Sequence, residues 1–140
     1  MRILLAADGS KYTKKALAFL VTHESLCGPD DELIVLHVQP PVPPRVKTMM
    51  GTGTVAAYHR DEANAVLDPI KTFLAKHKIE ARYSWKVGNV ANEITAAAKE
   101  SKAHLLVMGT HGHGVIARAV MGSIAQRVVA NCDMPVLLVK

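Results

Sequence analysis

The chain is poor in cysteine, poor in aromatic rings, and without any long apolar run. Its 140 residues include two cysteines, Cys27 and Cys132. Nothing in their spacing demands a disulfide, and each lies near the end of a predicted helix. Both read as plain buried or half-buried thiols. Aromatic residues make up only 4% of the chain, and the basic residues are scattered rather than clustered. With no recognised DNA- or RNA-binding motif, nucleic acid is not an expected partner, although the net charge of +5 mildly favours anions. No apolar run approaches the ~20 residues that span a bilayer, so no membrane partner is expected. The start, "MRILLAADGSK", meets an acidic residue at Asp8 and lacks the apolar stretch and cleavage site of a signal peptide. A cytoplasmic location is the expectation.

What is present suits one ordinary globular domain. Apolar residues are 49% and charged residues 21% of the total, both near the average for such domains. Neither an internal repeat nor a domain linker stands out, so residues 1–140 are read as one unit. The runs Arg2–Ala7, Glu32–Val38, His104–Met108 and Pro135–Val139 are short and dense in branched aliphatics. They read as strands buried on both faces, as in a parallel sheet. Glu80–Val87 alternates and reads as a half-exposed edge strand.

Helical patterns lie between these runs. Thr13–Cys27 places Ala16, Leu17, Leu20 and Val21 on one face, with Thr13 as a cap. Ala56–Lys78 repeats apolar residues at helical spacing, and Pro69 is expected to kink or divide it. Val90–Lys102 turns Ile94, Ala97 and Ala98 inward, and the last helix runs from about Ser123 to Asn131. Strict alternation of strand and helix implies parallel strands joined by right-handed crossovers. The expected fold is α/β, an open doubly wound five-stranded parallel sheet with helices on both faces. Gln39–Ala56, rich in Pro and Gly, departs from the alternation. It is read as a long loop, either a mobile lid or partner surface, or an uncommitted flexible segment.

Ligands of such sheets sit outside the carboxyl ends of the strands, near a switch in strand order. The stretch "GTHGHGVIARAVMGS", Gly109–Ser123, lies there, with glycines at 109, 112, 114 and 122. Glycines let backbone N–H groups come close to a ligand. Gly122-Ser123 opens a helix whose first N–H groups carry the positive end of the dipole. Ser123 adds a hydroxyl, and Arg118 adds charge or faces solvent. This is an anion-binding arrangement, although tight turns and close packing also explain glycines. It is not a Walker P-loop, because Lys-Ser/Thr does not follow the glycines. It also misses the G-x-G-x-x-G pattern, since position 117 is Ala.

The spacing Gly109-x-x-Gly112, nine residues, then Gly122-Ser123 resembles the ATP-binding signature of the universal stress protein family. "RILLAADGS", "IVLHV", "ANEITAAAKESKAHLLVMGTHG" and "MGSIAQRVVANCDMPVLLV" extend the resemblance over nearly the whole chain. The resemblance implies strand order 3-2-1-4-5 and an adenine-nucleotide site. Ala7 would line the adenine pocket, and the backbone of Val38 would contact the adenine edge. Asp8 would stand near the ribose and metal region, and Met108 and Gly109 beside the ribose and phosphates. Gly112, Gly122, Ser123 and Ile124 would hold phosphate. His113 stands where many members carry Arg, and Gly114-Val115 shifts a glycine by one place. Both departures point to a weaker or pH-sensitive phosphate contact. The resemblance also implies a homodimer paired through the C-terminal strand, with Val136 and Leu138 in the contact. The implied role is a nucleotide-dependent sensor or adaptor in the stress response.

Individual residues have plainer readings too. Asp8 suits a turn, bonding the backbone of Gly9-Ser10, or contact with ribose or a phosphate-bound Mg²⁺ or Mn²⁺. His104, His111 and His113 do not make a zinc site, because His104 begins a strand at the end away from the loop. His37 reads as a satisfied core histidine. Catalysis has little support: Ser10 and Ser123 lack a base-and-orienter set, and no G-x-S-x-G elbow occurs. Slow Mg²⁺-dependent ATP hydrolysis or phosphotransfer, with water or another group as nucleophile, is the alternative function. A structural dimeric partner with an empty site is the other.

Overall fold

The computed structural model describes residues 1–113 and 121–140. Gly114, Val115 and Arg118 of the glycine stretch lie outside the described residues. In chain order the elements are β1 (Arg2–Ala6), α1 (Lys11–Thr22), β2 (Glu32–Gln39), α2 (Pro44–Met50) and α3 (Thr52–Lys76). β3 (Ala81–Val87), α4 (Val90–Glu100), β4 (Leu105–Gly109), α5 (Ser123–Asn131) and β5 (Val136–Val139) follow. All strand pairs are parallel, in the order β3-β2-β1-β4-β5. This is the doubly wound sheet that the alternation of elements implies.

Alternation along β1 explains the layers. Ile3 and Leu5 point to one face and Leu4 and Ala6 to the other. The first face packs on α1 and α3 through Leu17, Leu20, Leu67, Ile70 and Leu74. The second packs on α4 and α5 through Ile94, Ala98, Ala125 and Val128. Cys27 belongs to the first layer and Cys132 packs against the second, so the sheet separates two free thiols. Burial pushes the Cys27 thiol up, with the Asp31 charge adding to the effect, which disfavours the reactive thiolate. β3 and β5 are the sheet edges; β3 mixes half-buried and exposed residues, and all four residues of β5 are half-buried.

The amino ends of the strands are held by polar contacts. Arg2 Nε donates to Glu32 Oε2 at 2.8 Å, and the chain's amino group meets Asp31 at 2.6 Å. The Arg2 bond holds the Glu32 carboxyl below its ordinary range. Arg2 N–H donates to His104 Nδ1 at 2.9 Å, so His104 stands at this end, away from His111 and His113.

Five expectations need correction. Ser10, not Thr13, caps α1, since its side chain accepts from Thr13 N–H. That helix stops at Thr22 rather than Cys27, where Thr22 Oγ1 and His23 Nδ1 bond back to the carbonyls of the last turn. Val90–Lys102 likewise ends sooner, at Glu100, with Ser101 as its C-cap. Pro69 does not divide α3, which is one helix of 25 residues. The proline removes a single bond to the Ala65 carbonyl, while Leu67, Ile70 and Leu74 anchor both sides of it in the core. Gln39–Ala56 is not one long loop. Pro44 stands at the first position of α2, where its fixed φ suits a helix, and α3 has begun by Thr52. No residue of α2 is buried, and Met49 is 81% exposed.

Candidate functional site

β1 is paired with β2 from Arg2↔Glu32 to Ala6↔Leu36, yet β2 continues to Gln39. His37, Val38 and Gln39 therefore run past the end of their neighbour. Alternate residues of a parallel strand face the same neighbour, and the Ala7 N–H takes the Leu36 carbonyl. Val38 thus turns its own N–H and C=O toward the space that β1 leaves. A cavity of about 720 Å³ occupies that space, within the range of ligand pockets. Ala7 and Val38 line it, with Ile94 and Met108 adding apolar wall.

Asp8 borders the same cavity. Its Oδ1 accepts from Ser10 N–H and from Thr13 Oγ1, each at 2.9 Å. The turn role is therefore filled by one oxygen. The other, Oδ2, faces Gly112 so closely that a Cβ there would stand 2.5 Å from it. A Cβ on Gly109 would collide with Cβ of Tyr12, where β4 passes α1. Close approach, rather than looseness, is what these two glycines supply.

The far wall is the start of α5. Gly122 is its N-cap, with no side-chain cap bond, and Gly122 N–H donates to the Thr110 carbonyl at 2.7 Å. Ser123, Ile124 and Ala125, the first helical residues, all line the cavity. Their N–H groups are the donors a helix start leaves without intrahelical partners. Ile124 is 40% exposed although apolar.

His113 also borders the cavity, and its Nε2–H donates to the Asp8 carbonyl at 2.7 Å. It ties the loop after β4 to the loop after β1. His111 lines the cavity as well, with Nδ1 2.9 Å from Thr110 Oγ1 and its ring against Tyr12. His37 is buried, and Nδ1–H donates to the Ala7 carbonyl at 2.8 Å, but it also lines the cavity, which the core reading did not expect. Among the described residues no group of three or more His, Cys, Asp or Glu gathers as a metal centre.

The structure thus brings together around one cavity every described residue singled out from the sequence for nucleotide contact. It adds one wall that the sequence did not suggest. Tyr58, Glu62 and Val66 of α3 also line the cavity. A buried pair fixes α3 there: Gln39 Nε2 donates to the His59 carbonyl, and His59 Nδ1–H to Gln39 Oε1, both at 2.7 Å. Helical periodicity marked the core side of α3, but not which strand end it crosses.

The model of the universal stress protein family matches residues 1–140. The chain belongs to the universal stress protein family. A universal stress protein of Thermus aquaticus is 33% identical over 138 residues, covering 99% of this chain and 97% of the relative. The solved structure of the hypothetical protein MJ0577 superposes with a TM-score of 0.85 at 25% identity, covering 99% of this chain and 94% of that one. The universal stress protein of Archaeoglobus fulgidus in complex with dAMP gives 0.69 at 22% identity, covering 100% and 98%. Two further solved members of the fold carry cAMP and AMP, at TM-scores of 0.65 and 0.69. The sheet order of this universal stress protein is that of its family, with the cavity at the switch point between β1 and β4.

Proposed function

We propose that this universal stress protein binds ATP in the cavity and acts as a nucleotide-dependent sensor or adaptor. One observation carries the reading. An apolar slot with a free strand edge, at Ala7 and Val38, opens onto a helix start at Ser123 within one cavity of about 720 Å³. The slot suits a purine, and the helix start suits phosphate. Solved relatives that hold dAMP, cAMP and AMP support an adenine nucleotide as the ligand. Asp8 Oδ2, with Oδ1 already engaged, suits a cation shared with the phosphates, Mg²⁺ or Mn²⁺. Such a cation would neutralise phosphate charge.

Residues 1–140 act in this reading as a single cytoplasmic unit. Two copies pair through β5, whose Val136 and Leu138 stand on an otherwise open edge. The exposed α2 and the segment around it serve as the surface for a protein partner. Sedimentation at micromolar concentration should give a dimer; a clean monomer contradicts the pairing. Calorimetric titration with ATP, ADP and AMP, with and without Mg²⁺, tests the ligand. Saturable binding of one nucleotide per chain is expected. No heat at millimolar ATP overturns the reading.

A further inference from the structure

The described cavity lining has carboxylates, Asp8 and Glu62, but no lysine or arginine. A triphosphate brings several negative charges; a shared divalent cation offsets some of them, and a helix start only about half of one. Cations stand beyond the lining, behind Tyr12 and His111. Tyr12 packs by its Cβ beside Gly109, and its ring lies 5.2 Å from that of His111, which lines the cavity. The ammonium groups of Lys11 and Lys15 lie 5.3 and 5.5 Å from the Tyr12 ring centroid.

Neither helix electrostatics nor ion pairing accounts for this placement. Lys11 is the first residue of α1, where the dipole disfavours a cation, and the first turn holds no acid. Among the described residues neither lysine is in an ion pair. Both are exposed, on long flexible stems. We infer that Lys11 and Lys15, oriented by Tyr12, make the site prefer a polyphosphate tail over a monophosphate. The inference rests on the nucleotide reading above and names a specificity that reading leaves open. The Tyr12 ring acts as the rest position of the two ammonium groups when no anion is present.

The test compares wild type with a Lys11→Ala/Lys15→Ala chain, titrated with ATP, with AMP and with inorganic tripolyphosphate. ATP and tripolyphosphate should weaken about ten-fold and AMP by less than about two-fold, as for two partly screened charges. Lys14→Ala removes a charge from the same helix without contact to Tyr12 and should leave ATP within about two-fold. Equal loss for ATP and AMP, or no loss for either, overturns the inference while leaving nucleotide binding in place. If wild type binds neither nucleotide, the nucleotide reading fails, and tripolyphosphate decides this inference alone. Equal tripolyphosphate affinity in both chains then overturns it, and a ten-fold loss supports it.

Discussion

A Gly112→Val chain is expected to bind ATP one to two orders of magnitude more weakly than wild type while remaining folded. A Cβ at position 112 would stand 2.5 Å from Asp8 Oδ2 and 3.7 Å from its Cγ. The carboxylate cannot simply retreat, because Ser10 N–H and Thr13 Oγ1 hold Oδ1. Either Asp8 gives up those bonds or the loop after β4 moves away from the cavity. Overpacking of this kind typically costs about 1–3 kcal/mol, roughly five- to 150-fold in affinity if it falls on the bound geometry. Gly53→Ala is the control, since nothing lies within 4 Å of a Cβ there. Titration with ATP and a thermal melt of each chain check the prediction. Unchanged affinity in Gly112→Val would remove the Asp8–Gly112 contact from the account of the site.

The second large effect is on stability. Leu5 is fully buried in β1, which is paired on both sides, and it packs in the layer shared with α1 and α3. Leu5→Ala should lower the unfolding free energy by about 2–5 kcal/mol, the lost burial plus the cavity left behind. That is a large share of the roughly 5–15 kcal/mol typical of a domain. Val87→Ala, on an edge strand and 37% exposed, should change it by less than about 0.5 kcal/mol. Urea unfolding measures both. A loss below about 1 kcal/mol at Leu5 would contradict the packing described for β1.

Much of this architecture was legible in the sequence because its signals are local. Dense aliphatic runs between Gly, Pro and Asp marked the strands, and their alternation with helices implied a parallel sheet. Gly122-Ser123 marked the start of α5 to the residue, since a cap leaves a chemical trace at its own position. The misses come from interactions a local pattern does not carry. Pro69 breaks helices in isolation, but Leu67, Ile70 and Leu74 bind its neighbours to the core. The Pro-rich segment after Gln39 looked structureless, yet Pro44 stands where a helix tolerates proline best. Ser10 and Thr13 are both good caps; the bond from Thr13 Oγ1 to Asp8 committed Thr13 elsewhere. The α3 wall at Tyr58 and Glu62 depends on the Gln39–His59 pair, whose members are 20 residues apart in sequence. The two glycines that meet Asp8 and Tyr12 were noticed as glycines, but their partners emerge only from the packed loops.

A crystal structure of the chain grown with ATP and Mg²⁺ tests the central claim most directly. The adenine should lie between Ala7 and the open edge of Val38, with the phosphates at the N–H groups of Ser123 and Ile124. Nucleotide bound elsewhere, or an empty cavity at saturating ATP, would contradict it.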